Sequence, residues 1–141
     1  MKKVIVFGTF DILHKGHLNF FYQAKKLATY LIVVVARDKF VKLAKGSNPK
    51  NQEKKRLFNI KKLKLADKVI LGSKTYNFHR TLRTHKPTIL ALGYDQKPAI
   101  YELKKSLKKH RIKNIKILRL KSFRANIYKS SKLSKPYEKN I

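Results

Sequence analysis

Five short runs rich in β-branched residues recur along the chain: "VIVF" at 4–7, "LIVVV" at 31–35, "KVIL" at 68–71, "TILAL" at 88–92 and "IKIL" at 115–118. Each has the length of a buried strand and is too short for a core helix. Between them, residues 17–28, 52–64, 76–85 and 99–110 carry apolar side chains at helical spacing. Strands with no polar alternation are covered on both faces, and strands alternating with helices are joined by crossovers. The expected fold class is therefore α/β, a doubly wound parallel sheet of five strands in a single domain. Two polar breaks, "KGSNPKN" at 45–51 and "GYDQKP" at 93–98, read as loops. Open sheets of this kind bind ligands outside the carboxyl ends of their strands, at the point where the strand order reverses. The first strand ends in "GTFDILHKGH", residues 8–17.

The 141 residues, 43% of them hydrophobic, suffice for one domain with a real core. Lys and Arg number 36 against 7 Asp and Glu, a formal net charge of +29. Such a surface attracts polyanions, and phosphates, nucleic acid and acidic lipid all qualify. Lysines run from Lys2 to Lys139, as general compositional drift would also produce. A nucleic-acid-binding protein without chemistry is the competing class, and it has no need of the histidines described next. The chain has no cysteine, which removes disulfides, thiolate metal sites and a cysteine nucleophile and suits a reducing cytoplasm. The longest strongly apolar stretch, "LIVVVA" at 31–36, is far too short to span a bilayer. The start, "MKKVIVFGTFD", reaches Gly8 and Asp11 too soon for a secretory signal.

His14 and His17 flank Gly16 where the first strand gives way to a helix. A helix beginning near Gly16 would turn backbone N–H groups and the positive end of its dipole toward an anion. Gly8 would allow a tight turn at the strand end, and Gly16 would allow a phosphate to approach the backbone. Imidazoles donate to phosphoryl oxygens, most usefully where negative charge builds in a transition state. The arrangement suits a nucleoside triphosphate. The remaining histidines, His79, His85 and His110, match no motif and read as surface or structural groups.

The whole string "GTFDILHKGH" resembles the first signature of the cytidylyltransferase-like nucleotidyltransferases, G-T-F-D-x-x-H-x-G-H, whose fold is Rossmann-like. Their second signature, R-x-x-x-I-S-T-S/T-K, is similar to "RANIYKSSK" at 124–132 in the basic segment 121–141. The Arg-to-Lys spacing is kept and the hydroxyls fall on Ser130 and Ser131. Asn126, Ile127, Tyr128 and Lys129 depart from the pattern, and "KSSK" alone reads equally as a helix cap near a basic tail. "ARDKFVKLAKG" at 36–46, "QEKKR" at 52–56 and "LGYDQ" at 92–96 look like the family's middle segments. By resemblance, the first is a loop giving Lys42 or Lys45 to substrate phosphates, the second places Arg56 near the nucleotide, and the third sets Gly93 and Asp95 at the nucleoside.

The resemblance implies attack by an acceptor's phosphate oxygen on the α-phosphorus of the triphosphate, with pyrophosphate leaving and no covalent enzyme intermediate. His14 and His17 would stabilise the transition state. Gly8, Thr9, Phe10, Asp11 and Gly16 would hold the triphosphate, and Arg124, Ser130 and Ser131 the leaving pyrophosphate. Mg²⁺ or another divalent cation would accompany the phosphates. "VVVARD" at 33–38, "KG" followed by a proline, and "LGYDQ" look more like the small archaeal-type FAD synthases, which adenylate FMN with ATP, than like glycerol-3-phosphate cytidylyltransferase, which uses CTP and which the first signature resembles equally well. A flavin needs apolar or aromatic walls, for which Phe40, Tyr94 and Tyr101 are the candidates. A homodimer is compatible with this reading.

Overall fold

The computed structural model describes residues 2–75 and 77–123. In chain order the elements are β1 (Lys3–Gly8), α1 (Lys15–Leu27), β2 (Tyr30–Val35), α2 (Asp38–Lys45), α3 (Glu53–Leu63), β3 (Lys68–Leu71), α4 (Phe78–His85), β4 (Ile89–Leu92), α5 (Ile100–Lys109) and β5 (Lys116–Arg119). The sheet has the order β3-β2-β1-β4-β5 with every neighbouring pair parallel. The Rossmann-like, doubly wound five-stranded sheet expected from the sequence is the one observed.

Side chains leave a strand alternately to its two faces, and the core divides accordingly. Val4, Val6, Leu31, Val33 and Val35 pack with Phe21 and Ala24 of α1 and Ile60 of α3. Ile5, Ile32, Val34 and Leu90 pack on the other face with Leu82 of α4 and with Leu103 and Leu107 of α5. Because β1 and β2 are buried from both sides, their sequences are continuously apolar. The chain builds outward from β1 through β2 to β3, then returns to lay β4 against the other edge of β1. The strand order therefore reverses between β1 and β4, and their carboxyl ends part there.

One element departs from expectation. Residues 38–45, read as loop, form α2, ended by Gly46 at φ 80° with its N–H bonded to the Lys42 carbonyl. Only Val41 of α2 is buried. The second signature, including Arg124, Ser130 and Ser131, lies outside the described residues.

Candidate active site

His14 caps α1: its Nδ1 accepts the Gly16 N–H at 3.0 Å. The ring nitrogen does what a Ser or Asp oxygen does at most helix starts. A neutral imidazole that accepts at Nδ1 carries its proton on Nε2, so the cap also fixes the tautomer. The Gly16 N–H expected to face an anion is thus taken by His14. Three residues on, nearly one helical turn, His17 stacks against His14 with ring centroids 3.9 Å apart and planes 25° apart.

Gly8 has a different task from the turn expected of it. A Cβ there would lie 2.5 Å from Cζ of Phe10, so only glycine lets the Phe10 ring lie down on the strand end. Phe10 itself takes the left-handed conformation, φ 52°, which costs a non-glycine residue about 1 kcal/mol or more. Ring contacts hold it there. Its centroid lies 5.1 Å from Phe21, 6.3 Å from Phe20 and 5.6 Å from the His17 ring. The same turn that strains Phe10 brings it against a histidine of the signature.

Beside this turn, at the carboxyl ends of β1 and β4, opens a cavity of about 450 Å³, within the usual range for small-molecule sites. One rim is Gly8, Thr9, Phe10 and Asp11 with His14, Gly16 and His17; the other is Gly93, Tyr94 and Asp95. Lys45, at the end of α2, reaches the lining and Lys42 does not. Of the three aromatic candidates, Tyr94 lines the cavity, whereas Phe40 and Tyr101 lie outside it, Tyr101 being 71% exposed. The apolar wall comes from Phe20 of α1 and from Phe7 and Phe123.

Asp11 of the first signature and Arg56 of a middle segment brace the site through their charges. The Asp11 carboxylate accepts the backbone N–H groups of Lys50 and Asn51 at 2.7 and 2.8 Å, tying the 46–51 loop to the strand end. Arg56, expected at the nucleotide, is instead fully buried. Its guanidinium donates to the Thr9 carbonyl at 2.9 Å, to the Asn51 carbonyl at 2.9 Å and to the Asp38 carboxylate at 2.7 Å. It supports the signature turn from behind and does not line the cavity.

Sequence reasoning did not single out three further contributors. Gln96 joins the two rims through its amide, which donates to the Phe7 carbonyl and accepts from the Gly93 N–H. Arg119 donates to the Gly93 and Gln96 carbonyls at 2.8 Å each. Gln23 of α1 pairs its amide with both backbone groups of Lys121, which sets Lys121 and Phe123 at the cavity wall. All three act on backbone atoms, and Gln23 also donates to Oδ1 of Asn19 one turn back at 2.6 Å.

Burial lowers the His14 pKa to about 4. Burial and the neighbouring His14 and Lys45 lower that of His17 to about 3, against a hydrogen bond with the Ile12 backbone that raises it. Both rings are neutral at pH 7. Below about pH 6.5 the unfolded chain takes up protons that the native rings refuse, so stability is full above that pH and is lost as pH falls toward 4 and then 3. We expect thermal melts to show the native midpoint falling from pH 6.5 to 4, and a His14→Gln/His17→Asn double variant to show a shallower fall. It will not be flat, because burial lowers the pKa values of His79 and His85 as well. Equal slopes for the two proteins would contradict neutral burial of the pair.

A strand-end glycine, a capped helix carrying two stacked imidazoles and a cavity at the reversal of a parallel sheet define a nucleotidyltransferase-type site. The chain belongs to the cytidylyltransferase-like family, whose model matches residues 5–135. Among curated proteins it is 43% identical over 113 residues to the FAD synthase of Ferroglobus placidus, covering 80% of this chain and 72% of that one. It is 38% identical over 132 residues to the FAD synthase of Thermococcus sibiricus, covering 93% and 88%. Among solved structures, a lipopolysaccharide core biosynthesis protein from Thermoplasma volcanium superposes with a TM-score of 0.81 at 40% identity, covering 87% of this chain and 98% of that one.

Proposed function

We propose that this protein is an FMN adenylyltransferase: it transfers AMP from ATP to the phosphate of FMN, giving FAD and pyrophosphate. The stacked pair of neutral histidines beside the switch-point cavity carries the nucleotidyl transfer, and the likeness to FAD synthases supports ATP and FMN as its substrates. A phosphate oxygen of FMN attacks the α-phosphorus, the bond to the bridging oxygen of the β-phosphate breaks, and pyrophosphate leaves with that electron pair. Two anions must meet in this reaction, so catalysis consists of positioning and of offsetting charge. His14 donates from Nε2, the proton its cap leaves in place, and His17 stands one turn further along the same wall. Lys45 adds a positive charge to the triphosphate rim. Asp95, on the opposite rim, is placed to accept from the nucleoside, and Phe20, Tyr94 and Phe123 give a flat ring an aromatic wall.

Among the described residues no three of His, Cys, Asp or Glu come together as a metal site, and the Asp11 carboxylate is engaged by backbone N–H groups. Mg²⁺ would enter the reaction with ATP, as the MgATP substrate held by phosphates and water. Arg124, Ser130 and Ser131 remain our candidates for the leaving pyrophosphate. Among the described residues no helix is long and apolar enough to cross a membrane, and we place the reaction in the cytoplasm.

The test is an incubation with Mg²⁺, FMN and ATP, with the product identified by mass. FAD and pyrophosphate should form, with CTP a poorer donor or none. If FAD is absent while CTP and glycerol 3-phosphate give a cytidylylated product, the acceptor assignment is wrong. Steeply salt-dependent binding of RNA or DNA with no triphosphate turnover would favour the nucleic-acid-binding class instead.

A further inference from the structure

The register of the sheet shows a gap at the site. β1 pairs with β2 along its full length, to Gly8↔Val35, but with β4 only at Val4↔Ile89 and Ile5↔Leu90. Beyond Ile5 the two strands part to make room for the cavity. Into the parting the Gln96 side chain places a primary amide, whose Nε2 donates to the Phe7 carbonyl at 2.8 Å and whose Oε1 accepts from the Gly93 N–H at 3.0 Å. A primary amide offers a donor and an acceptor as a peptide group does, so the side chain replaces a missing rung of the ladder. From the far side, Arg119 holds the carbonyls of Gly93 and Gln96. The loop carrying Tyr94 and Asp95 is thereby fixed both by its own side chain and by the end of β5.

We infer that Gln96 is a positioning residue that sets the span between the two rims of the site, and so the fit of a nucleotide that touches both. The inference rests on the nucleotidyl-transfer reading above. A nucleoside triphosphate has to reach from the Gly8–His17 rim to Asp95, and it senses the width between them. Inorganic tripolyphosphate, which has no nucleoside, engages the first rim alone and does not. Width is thus separable from charge by comparing the two ligands.

Gln96→Met keeps the volume and removes both bonds without adding charge; Gln96→Leu removes them with a shorter, branched apolar chain. Titration calorimetry at one ionic strength, with the thermal midpoint recorded for each variant, should show affinity for ATP about tenfold weaker in both. Affinity for tripolyphosphate, which engages the Gly8–His17 rim alone, should stay within about twofold. Gln96→Asn, which keeps the amide one methylene short, should show the same split and serves if Gln96→Met fails to fold. The inference is overturned if ATP affinity is unchanged, or if both ligands weaken together in step with the thermal midpoint. A wild-type protein that binds CTP and not ATP, or makes no FAD, refutes the proposed function. CTP then replaces ATP in the same comparison, and Gln96 is judged on that ratio.

Discussion

Replacing His17 with alanine should lower kcat by about 10²-fold or more, with little change in KM for ATP and a folded protein. The ring sits one turn inside α1, packed edge-on against Phe10 and face-on against His14, where no water competes for its attention on that side. A donor in such a place gains most when charge grows on the phosphoryl oxygens, so its removal raises the barrier more than it weakens the ground-state complex. Alanine is a strong helix former, and α1 also buries Phe21 and Ala24, so the helix persists. Circular dichroism of the variant alongside single-turnover and steady-state rates checks both halves of the expectation. A variant of near wild-type rate would remove His17 from the mechanism.

The second large effect is on stability. Arg56→Ala should destabilise the protein by about 3 kcal/mol, the lower end for breaking a buried ion pair because Asp38 is partly solvated. For a chain of this size that is a drop in thermal midpoint on the order of 10 °C. The loss leaves the Thr9 and Asn51 carbonyls and the Asp38 carboxylate without their shared donor. Arg56→Lys should recover only part of it, since one ammonium lacks the planar fork that meets three acceptors at once. A scanning calorimeter separates this from the nucleotide-contact role that the sequence suggested. If Arg56→Ala melts like the wild type and only KM for ATP rises, the arginine belongs at the nucleotide after all.

That contrast illustrates what a sequence displays and what it hides. The strands were legible because burial on two faces leaves no polar residue in "VIVF" or "LIVVV". The histidines were legible because their spacing from Gly8 and Gly16 is itself the motif. Arg56 was misplaced because it stands in "EKKRLFNIKKL", where lysines to either side face solvent. Two signals were present: it is the one arginine in a lysine-rich helix, and it falls four residues before the buried Ile60. α2 was missed for a different reason: by resemblance its segment reads as a loop, and the polar break at 45–51 begins at the last of its eight residues. Gln96 and Arg119 were silent because their partners are backbone carbonyls and N–H groups, which nearly every residue possesses, and Gln23 reaches Lys121 in the same way.

The parting of β1 from β4 also has a bearing on how the molecule comes together. The residues meeting across it, Phe7 and Gln96, lie 89 positions apart along the chain, so the cavity has no existence in any fragment that lacks either end. Nearby partners such as β1 and β2 can assemble from a short stretch, whereas this seam waits for the long closure between the amino-terminal strands and β4. A nucleotide lodged across the seam would act as a staple between the two sides of the fold. Its binding energy would add to the cohesion of the whole chain, because opening the seam would release the ligand.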